Sequence, residues 1–328
     1  MNKKVLISFI TVIFLLLLLF VVSVNTGSIK VTYTELLKGL FVEYNENVET
    51  IKDLRFPRII IAMLTGGALA VSGVLFQSVL KNPLADPGII GISSAAAFVS
   101  TFIVGFLPQL FFLSPLFPFI GGIEACVLVY TLSYKGGFSP LRIILVGVAV
   151  NAVFTGLSSA LTTMSGQNYE GAAAIVNANI SMKTWEDVRL LALYVVIGLV
   201  FSLFMAKGCN IMALEDKTIR GLGVNVTRLR VLISGAAVLL ASITTAVAGT
   251  ISFIGLIVPH IGRLLVGNNH KLLLPFSAAL GALIMLGADT AGRVIAYPYE
   301  ISPAVIMSVI GGPFFIILLK RSDKTYGS

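Results

Sequence analysis

The chain has 328 residues, 57% of them hydrophobic and only 12% charged, with a formal net charge of +8 and a mean hydropathy of +0.98. Soluble domains run at about 45–50% apolar and about 25% charged residues, so these values exclude an ordinary soluble domain and point to a chain that crosses a bilayer many times. The basic residues lie at the ends of apolar segments, which fits the cytoplasmic-side bias of membrane proteins and not a nucleic-acid-binding surface.

Asn2-Lys3-Lys4 opens an unbroken apolar run from Val5 to Val24. A helix needs about 20 apolar residues to cross the hydrocarbon core. A cleaved leader carries a shorter core, about 7–15 residues, closed by a small-x-small site. This run is longer and ends in Asn25-Thr26-Gly27-Ser28, so a retained first span is expected. Hydropathy places about ten spans, near 5–25, 57–80, 92–113, 117–134, 141–164, 190–207, 229–249, 252–267, 273–296 and 303–319. With an even number of spans both termini share one side. With the N-terminus inside, the inner segments carry 15 of the 23 Lys and Arg residues, among them Lys81, Lys207, Arg228 and Lys271. The expectation is an all-α polytopic membrane protein, N-in and C-in, forming one transmembrane domain over residues 1–328.

The second span lies within "RFPRIIIAMLTGGALAVSGVLFQSVLKNPLADPGIIG", from Arg55 to Gly91. Pro57 suits a first helical position, which predicts that Arg55 and Arg58 point outward from the first turn of a helix at the outer face. Two cations there oppose the helix dipole, and an arginine fork suits a carboxylate; snorkelling to lipid phosphate is the competing reading. Gly66, Gly67, Ala68, Ala70, Ser72 and Gly73 make a small-residue face suited to close helix packing. Gln77 needs hydrogen-bond partners, either along a translocation pathway or on a neighbouring helix. Asn82, Pro83, Asp86 and Pro87 force a compact inner turn, after which Ser93 or Ser94 is expected to cap the next helix.

On the fifth span, Asn151, Thr155, Ser158 and Thr162 share a face at three/four spacing. They suit either pathway lining or polar contacts between helices. The longest inner loop runs from about 209 to 230. Its middle, from Ala213 to Leu222, predicts about three helical turns. Glu215 and Asp216 sit near its start, Arg220 near its end, and Gly221 and Gly223 can stop it. Such an amphipathic segment can lie on lipid or enter a groove of a soluble partner.

Glu124 and Asp289 are the acidic residues, and His260 the histidine, within the spans. They are candidates for proton relay or for structural pairing. Cys126 and Cys209 match no metal or redox spacing. No nucleophile–base constellation and no metal-ligand motif stands out, which argues against a membrane enzyme. A phosphate-binding Gly-x-x-x-x-Gly-Lys-[Ser/Thr] loop is absent from the sequence, so any ATP must be bound by another chain.

"LRFPRIIIAMLTGGALAVSGVLFQSVLKNPLADPGIIGIS" resembles the signature of the FecCD family of permeases, the membrane subunits of type II ABC importers for iron–siderophores, haem and vitamin B12. The resemblance recurs in "IRGLGVNVTRLR", in "GTISFIGLIVPHIGRLLVGNNHKLLLPFSAALGALIMLGADTAGRVI" and in "IGGPFFIILLK", and spans Val5 to Lys320, with departures at Ala95, Ile219 and Ser302-Pro303-Ala304. It implies a type II ABC importer permease fold, a homodimer in the cytoplasmic membrane, and two ATPase subunits inside. It also implies a substrate-binding lipoprotein docking outside, met by Arg55, Arg58 and Arg293. Leu214, Glu215, Asp216, Arg220, Gly221, Leu222 and Gly223 then look like the segment that couples to the ATPase. The implied cargo is an Fe(III)–siderophore, with haem or cobalamin as alternatives. No cofactor or metal is expected on the chain itself. A proton-driven transporter working through Glu124 or Asp289 is the rival class.

Overall fold

The computed structural model describes residues 3–27, 31–88, 90–107, 109, 116–134, 140–164 and 180–326. Every regular element among them is a helix. In chain order these are α1 (Lys3–Asn25), α2 (Tyr33–Phe41), α3 (Glu46–Thr50), α4 (Phe56–Leu80), α5 (Ile92–Phe106), α6 (Leu116–Ser133) and α7 (Pro140–Met164). There follow α8 (Trp185–Phe204), α9 (Ala206–Met212), α10 (Asp216–Gly221), α11 (Val226–Ala248), α12 (Ile254–Val266), α13 (His270–Ile295) and α14 (Pro303–Tyr326). Among the described residues, seven helical stretches are long and apolar enough to cross a membrane, and the shorter apolar helices α5, α12 and α14 complete the ten expected segments. The expected boundaries hold to within about five residues except at three spans: the second, the third, whose helix ends at Phe106 with residues 108 and 110–113 of the expected span outside the described ones, and the tenth, whose helix continues to Tyr326.

The second span starts earlier than Pro57. A π-helical turn, Ile51–Arg55, joins α3 to α4 without a break, giving one rod from Glu46 to Leu80. Proline has no N–H to give to the preceding turn, and a widened turn just before it is a common way to absorb the mismatch. The correction matters for the arginines. Arg55 and Arg58 sit well inside a helix, so the conflict with a helix N-terminus does not arise.

α4 is the centre of the molecule. It is buried from Ile59 to Leu80 except for three half-exposed positions, and it packs against α13, α11, α12 and α8. Its glycines make this possible. A side-chain carbon on Gly66 would collide with the Gly281 carbonyl of α13, and one on Gly73 with the Gly255 backbone of α12. Between membrane helices, dispersion and close approach replace the hydrophobic effect as the source of attraction, so small residues at contacts carry the packing. Ser72 adds a hydrogen bond from its Oγ to the Ala237 carbonyl of α11, 2.7 Å. By contrast α1 exposes Leu6, Ile7, Ile10, Phe14, Leu17 and Leu18 along one side, a surface suited to lipid.

The turn after α4 is built by its polar side chains. The Leu84 N–H donates to Asn82 Oδ1 at 3.0 Å, and the Gly88 N–H to Asp86 Oδ1 at 2.8 Å. Neither expected serine caps α5. Gly91, in the left-handed region at φ +91°, holds the N-cap position. The Pro87 carbonyl accepts the Ile92 N–H at 3.1 Å, while Ser94 Oγ donates back to the Gly91 carbonyl.

Candidate functional site

Two polar clusters lie at opposite ends of α4. At the outer end, Arg58 is only 6% exposed. Its Nε donates to Asp289 Oδ1 of α13 at 2.8 Å, and its Nη1 to Glu300 Oε2 at 2.7 Å. Arg293, one helical turn beyond Asp289, is also 6% exposed. Its Nε stands 3.1 Å from Asp289 Oδ2 without the alignment of a hydrogen bond, a charge contact only. Arg293 also donates to the Ser23 and Thr26 carbonyls, both at 3.1 Å, and to Ser23 Oγ. Arg55 donates through Nη1 to the Val24 carbonyl at 2.9 Å. The three arginines thus come together around the end of α1, but Arg58 and Arg293 turn inward. The outward orientation expected for Arg58 is corrected: Asp289, wholly buried, draws both guanidiniums into the protein, because a buried carboxylate requires paired charge.

Glu300 closes this cluster from the loop before α14. Its side chain is 45% exposed and accepts a second hydrogen bond from Ser181 Oγ at 2.8 Å. Desolvation pushes its carboxyl up, but the Arg58 and Ser181 hydrogen bonds together with the charges of Arg58 and Arg293 hold it below the usual carboxylate value. Sequence reasoning did not single out Glu300 or Ser181. The Asp289–Arg293 spacing of four on one helix was a visible signal for part of the cluster.

At the inner end, Lys81 follows α4 in the left-handed region, φ 50°. Its Nζ donates to the Leu214 carbonyl at 2.6 Å and to Asp216 Oδ1 at 2.8 Å. Arg230 Nη2 reaches Asp216 Oδ2 at 3.5 Å. The Lys81 hydrogen bond is the main reason that the Asp216 carboxyl lies below its ordinary value. Asp216 begins α10, which is shorter than the three turns expected and ends at Gly221, with Gly223 at φ +75°. Ile219 is buried beneath it, whereas Leu214 and Leu222 are 42% and 61% exposed. Glu215, Arg220 and Gly221 are exposed as well. The inner segment therefore presents two apolar side chains on a charged, anchored turn.

Gln77 is held by the inner turn and by α12. Its amide donates to the Ala85 and Gly255 carbonyls at 3.2 and 3.0 Å, and its oxygen accepts from Arg263. It also borders an inner cavity of about 280 Å³, shared with Ser78, Lys81, Arg263 and His270. The α7 face divides. Ser158 and Thr162 are buried and donate to carbonyls one turn back on their own helix, at 2.8 and 2.7 Å. Thr155 is exposed and Asn151 half-exposed. The exposed polar stripe is Thr155, Ser159 and Thr163, rotated from the expected one. Glu124 is exposed on α6, beside Ile120 and Val127.

Residues 15–321 match the model of the FecCD transport family. The chain belongs to the FecCD transport family. A Staphylococcus aureus protein described as the probable haem-iron transport system permease IsdF is 39% identical over 323 residues, covering 98% of both chains. A solved chain from a transporter assigned to the metal-chelate type of ABC transporters, in an inward-facing conformation, matches with a TM-score of 0.80 and 28% identity, over 96% of this chain and 99% of the other. PsaBC from Streptococcus pneumoniae, at 16% identity and a TM-score of 0.55 over 87% of this chain and 95% of that one, shares the fold. This FecCD protein is thus a multi-pass permease of the cytoplasmic membrane with the ABC importer fold, and not an enzyme. In this FecCD permease Asp289 is locked between two arginines, an arrangement that suits a structural counter-ion and not a proton carrier.

Proposed function

We propose that the permease moves a preformed iron chelate, haem foremost, into the cytoplasm. It acts as a homodimer, is fed by an extracytoplasmic binding lipoprotein, and is driven by two ATP-hydrolysing subunits. The cargo rests on one observation, the 39% identity along 98% of the chain to a permease described as serving haem-iron transport. The Fe(III)–siderophore reading is the second, supported by the likeness to a metal-chelate type transporter.

The geometry supports the partners. At the outer end Arg55 is half-buried, whereas Arg58 and Arg293 are buried and paired with Asp289, so acidic side chains of a binding protein would engage the buried pair only by displacing their present partners. Paired charges of this kind set register and association rate more than raw affinity. At the inner end, Leu214 and Leu222 flank the turn that Lys81 ties to α4, a fit for a groove on the ATPase. The exposed stripe Thr155, Ser159 and Thr163 would face the path between two copies. Glu124 is costly in contact with lipid and needs cover by water or protein. Transport then proceeds by rigid-body rocking of packed helices, with no covalent step on this chain.

The test is uptake of labelled haem, cobalamin and a panel of labelled Fe(III)–siderophores by cells with and without the gene. The expected result is a loss confined to haem and restored by the wild-type gene. A loss confined to one siderophore class replaces haem with that cargo. Uptake that survives deletion of the ATPase but collapses with the proton gradient rejects the importer mechanism.

A further inference from the structure

The outer cluster holds three cations, Arg55, Arg58 and Arg293, against two anions, Asp289 and Glu300. The two anions are not equivalent. Asp289 is 0% exposed and contacts both Arg58 and Arg293. Removing a partner from a buried pair strands a charge away from water and is strongly destabilising. Glu300 is nearly half-exposed, so its carboxylate can return to water at little cost, as partly exposed ion pairs contribute little. The exchange needs only a side-chain rotation. The backbone on either side is pinned, with the Tyr299 N–H on the Ala296 carbonyl at 2.8 Å and the Ile301 N–H on the Gly292 carbonyl at 3.0 Å. Glu300 holds the Nη1 of Arg58, whose side chain is 7% exposed, so an incoming carboxylate must take its place to bond that nitrogen.

The surroundings are those of an interface. Met182, next to Ser181, is 89% exposed, and Tyr297 and Tyr299 are 66% and 79% exposed. Tyrosine, methionine and arginine are enriched at protein interfaces, and an aromatic collar that excludes water strengthens a central charged contact.

We infer that Glu300 is the permease's own substitute for an incoming carboxylate: it occupies the Nη1 side of Arg58 in the undocked state, and an acidic side chain of the binding protein displaces it on the surface that carries the exposed Met182, Tyr297 and Tyr299. The inference rests on the docking role given above to the arginines. Its consequence is that Glu300 weakens docking. A site competent for only a fraction of the time binds with an affinity reduced by that fraction, which keeps the binding protein exchangeable between rounds of transport.

The experiment uses full-length permease in lipid nanodiscs and acyl-free forms of the cell's iron-chelate-binding lipoproteins. Affinity is read by surface plasmon resonance on the member of that set that binds wild type. Glu300→Gln keeps the shape and the Ser181 contact but removes the competing charge, and is expected to tighten binding about tenfold. Ser181→Ala, which removes the other anchor of the carboxylate, moves affinity the same way by less. A gain of affinity is not what a misfolded variant produces. Phenylglyoxal labelling, mapped by mass spectrometry, is a partner-free readout: Arg58 is protected in wild type and reactive in Glu300→Ala, which removes the covering side chain. If Arg55→Glu with Arg58→Glu abolishes binding while Glu300→Gln leaves affinity unchanged and Glu300→Ala leaves Arg58 unlabelled, the Glu300 inference fails and the docking reading stands. If the double arginine variant binds as wild type does, the docking reading itself fails and takes this inference with it.

Discussion

Lys81 and Asp216 meet at 2.8 Å across 135 residues of sequence, joining the inner end of the central helix to the first residue of α10. Both side chains are more than a third exposed, so the pair adds little to stability, under about 1 kcal/mol. Its value is positional. Lys81→Met should leave thermal unfolding in detergent nearly unchanged and lower uptake several-fold; an equal fall in both would reduce the pair to a structural contact. The pH behaviour follows from the depressed Asp216 carboxyl. A carboxylate whose folded pKa lies below its ordinary value, 3.8, contributes fully above that value and loses its contribution as pH falls through the folded one. The contact is therefore constant between about pH 6 and 8, which carbon-labelled aspartate NMR can check.

Asp289→Asn removes the counter-ion that Arg58 and Arg293 share. The expected cost is about 3–5 kcal/mol, visible as a lowered melting temperature and a poor yield of monodisperse protein. Arg58→Met and Arg293→Met combined with Asp289→Leu remove all three buried charges at once and should recover much of that loss. A single variant as stable as wild type would show that water already solvates the cluster.

Gly73→Ala pushes a methyl group into the Gly255 backbone, and overpacking of this kind costs about 1–3 kcal/mol. Gly156→Ala on α7 meets nothing within 4 Å in the single chain and should leave the fold intact. Measuring melting temperature and oligomeric state of both separates the two effects. Loss of the dimer in Gly156→Leu, with the fold retained, would assign that face to the second copy.

Leu214→Asp with Leu222→Asp places charge on the two exposed apolar side chains of the inner segment. The permease should still reach the membrane, while its ATPase no longer co-purifies and uptake stops. Retained co-purification would send the search for the ATPase contact elsewhere on the inner face.

The ten segments were legible because each carries a run of apolar residues bounded by breakers, a signal that survives without knowledge of any neighbour. The small-residue face of α4 was legible for the same reason. What could not be read was direction. Helical spacing groups Asn151, Thr155, Ser158 and Thr162, but it does not say which edge of the group faces the core; the structure buries Ser158 and Thr162 and exposes Thr155. Arg58 lies 231 residues from Asp289, and no local pattern links them. The early start of the second span was hidden because polar Glu46, Glu49 and Asp53 interrupt the hydropathy there, although the backbone continues through them as helix.

Arg58, in the first turn of α4, and Lys81, just past its end, stand 23 positions apart, about 35 Å at 1.5 Å per residue, with backbone-to-backbone contacts at Gly66 and Gly73 between them. A rod packed this tightly does not bend to absorb a change at one end. Thermodynamic linkage then makes the two ends answer to each other symmetrically. If an acidic partner at Arg58 biases the arrangement of the Lys81 loop, nucleotide-driven movement of that loop biases the affinity of Arg58 for its partner by the same factor. Binding outside and engagement inside become two readings of a single equilibrium.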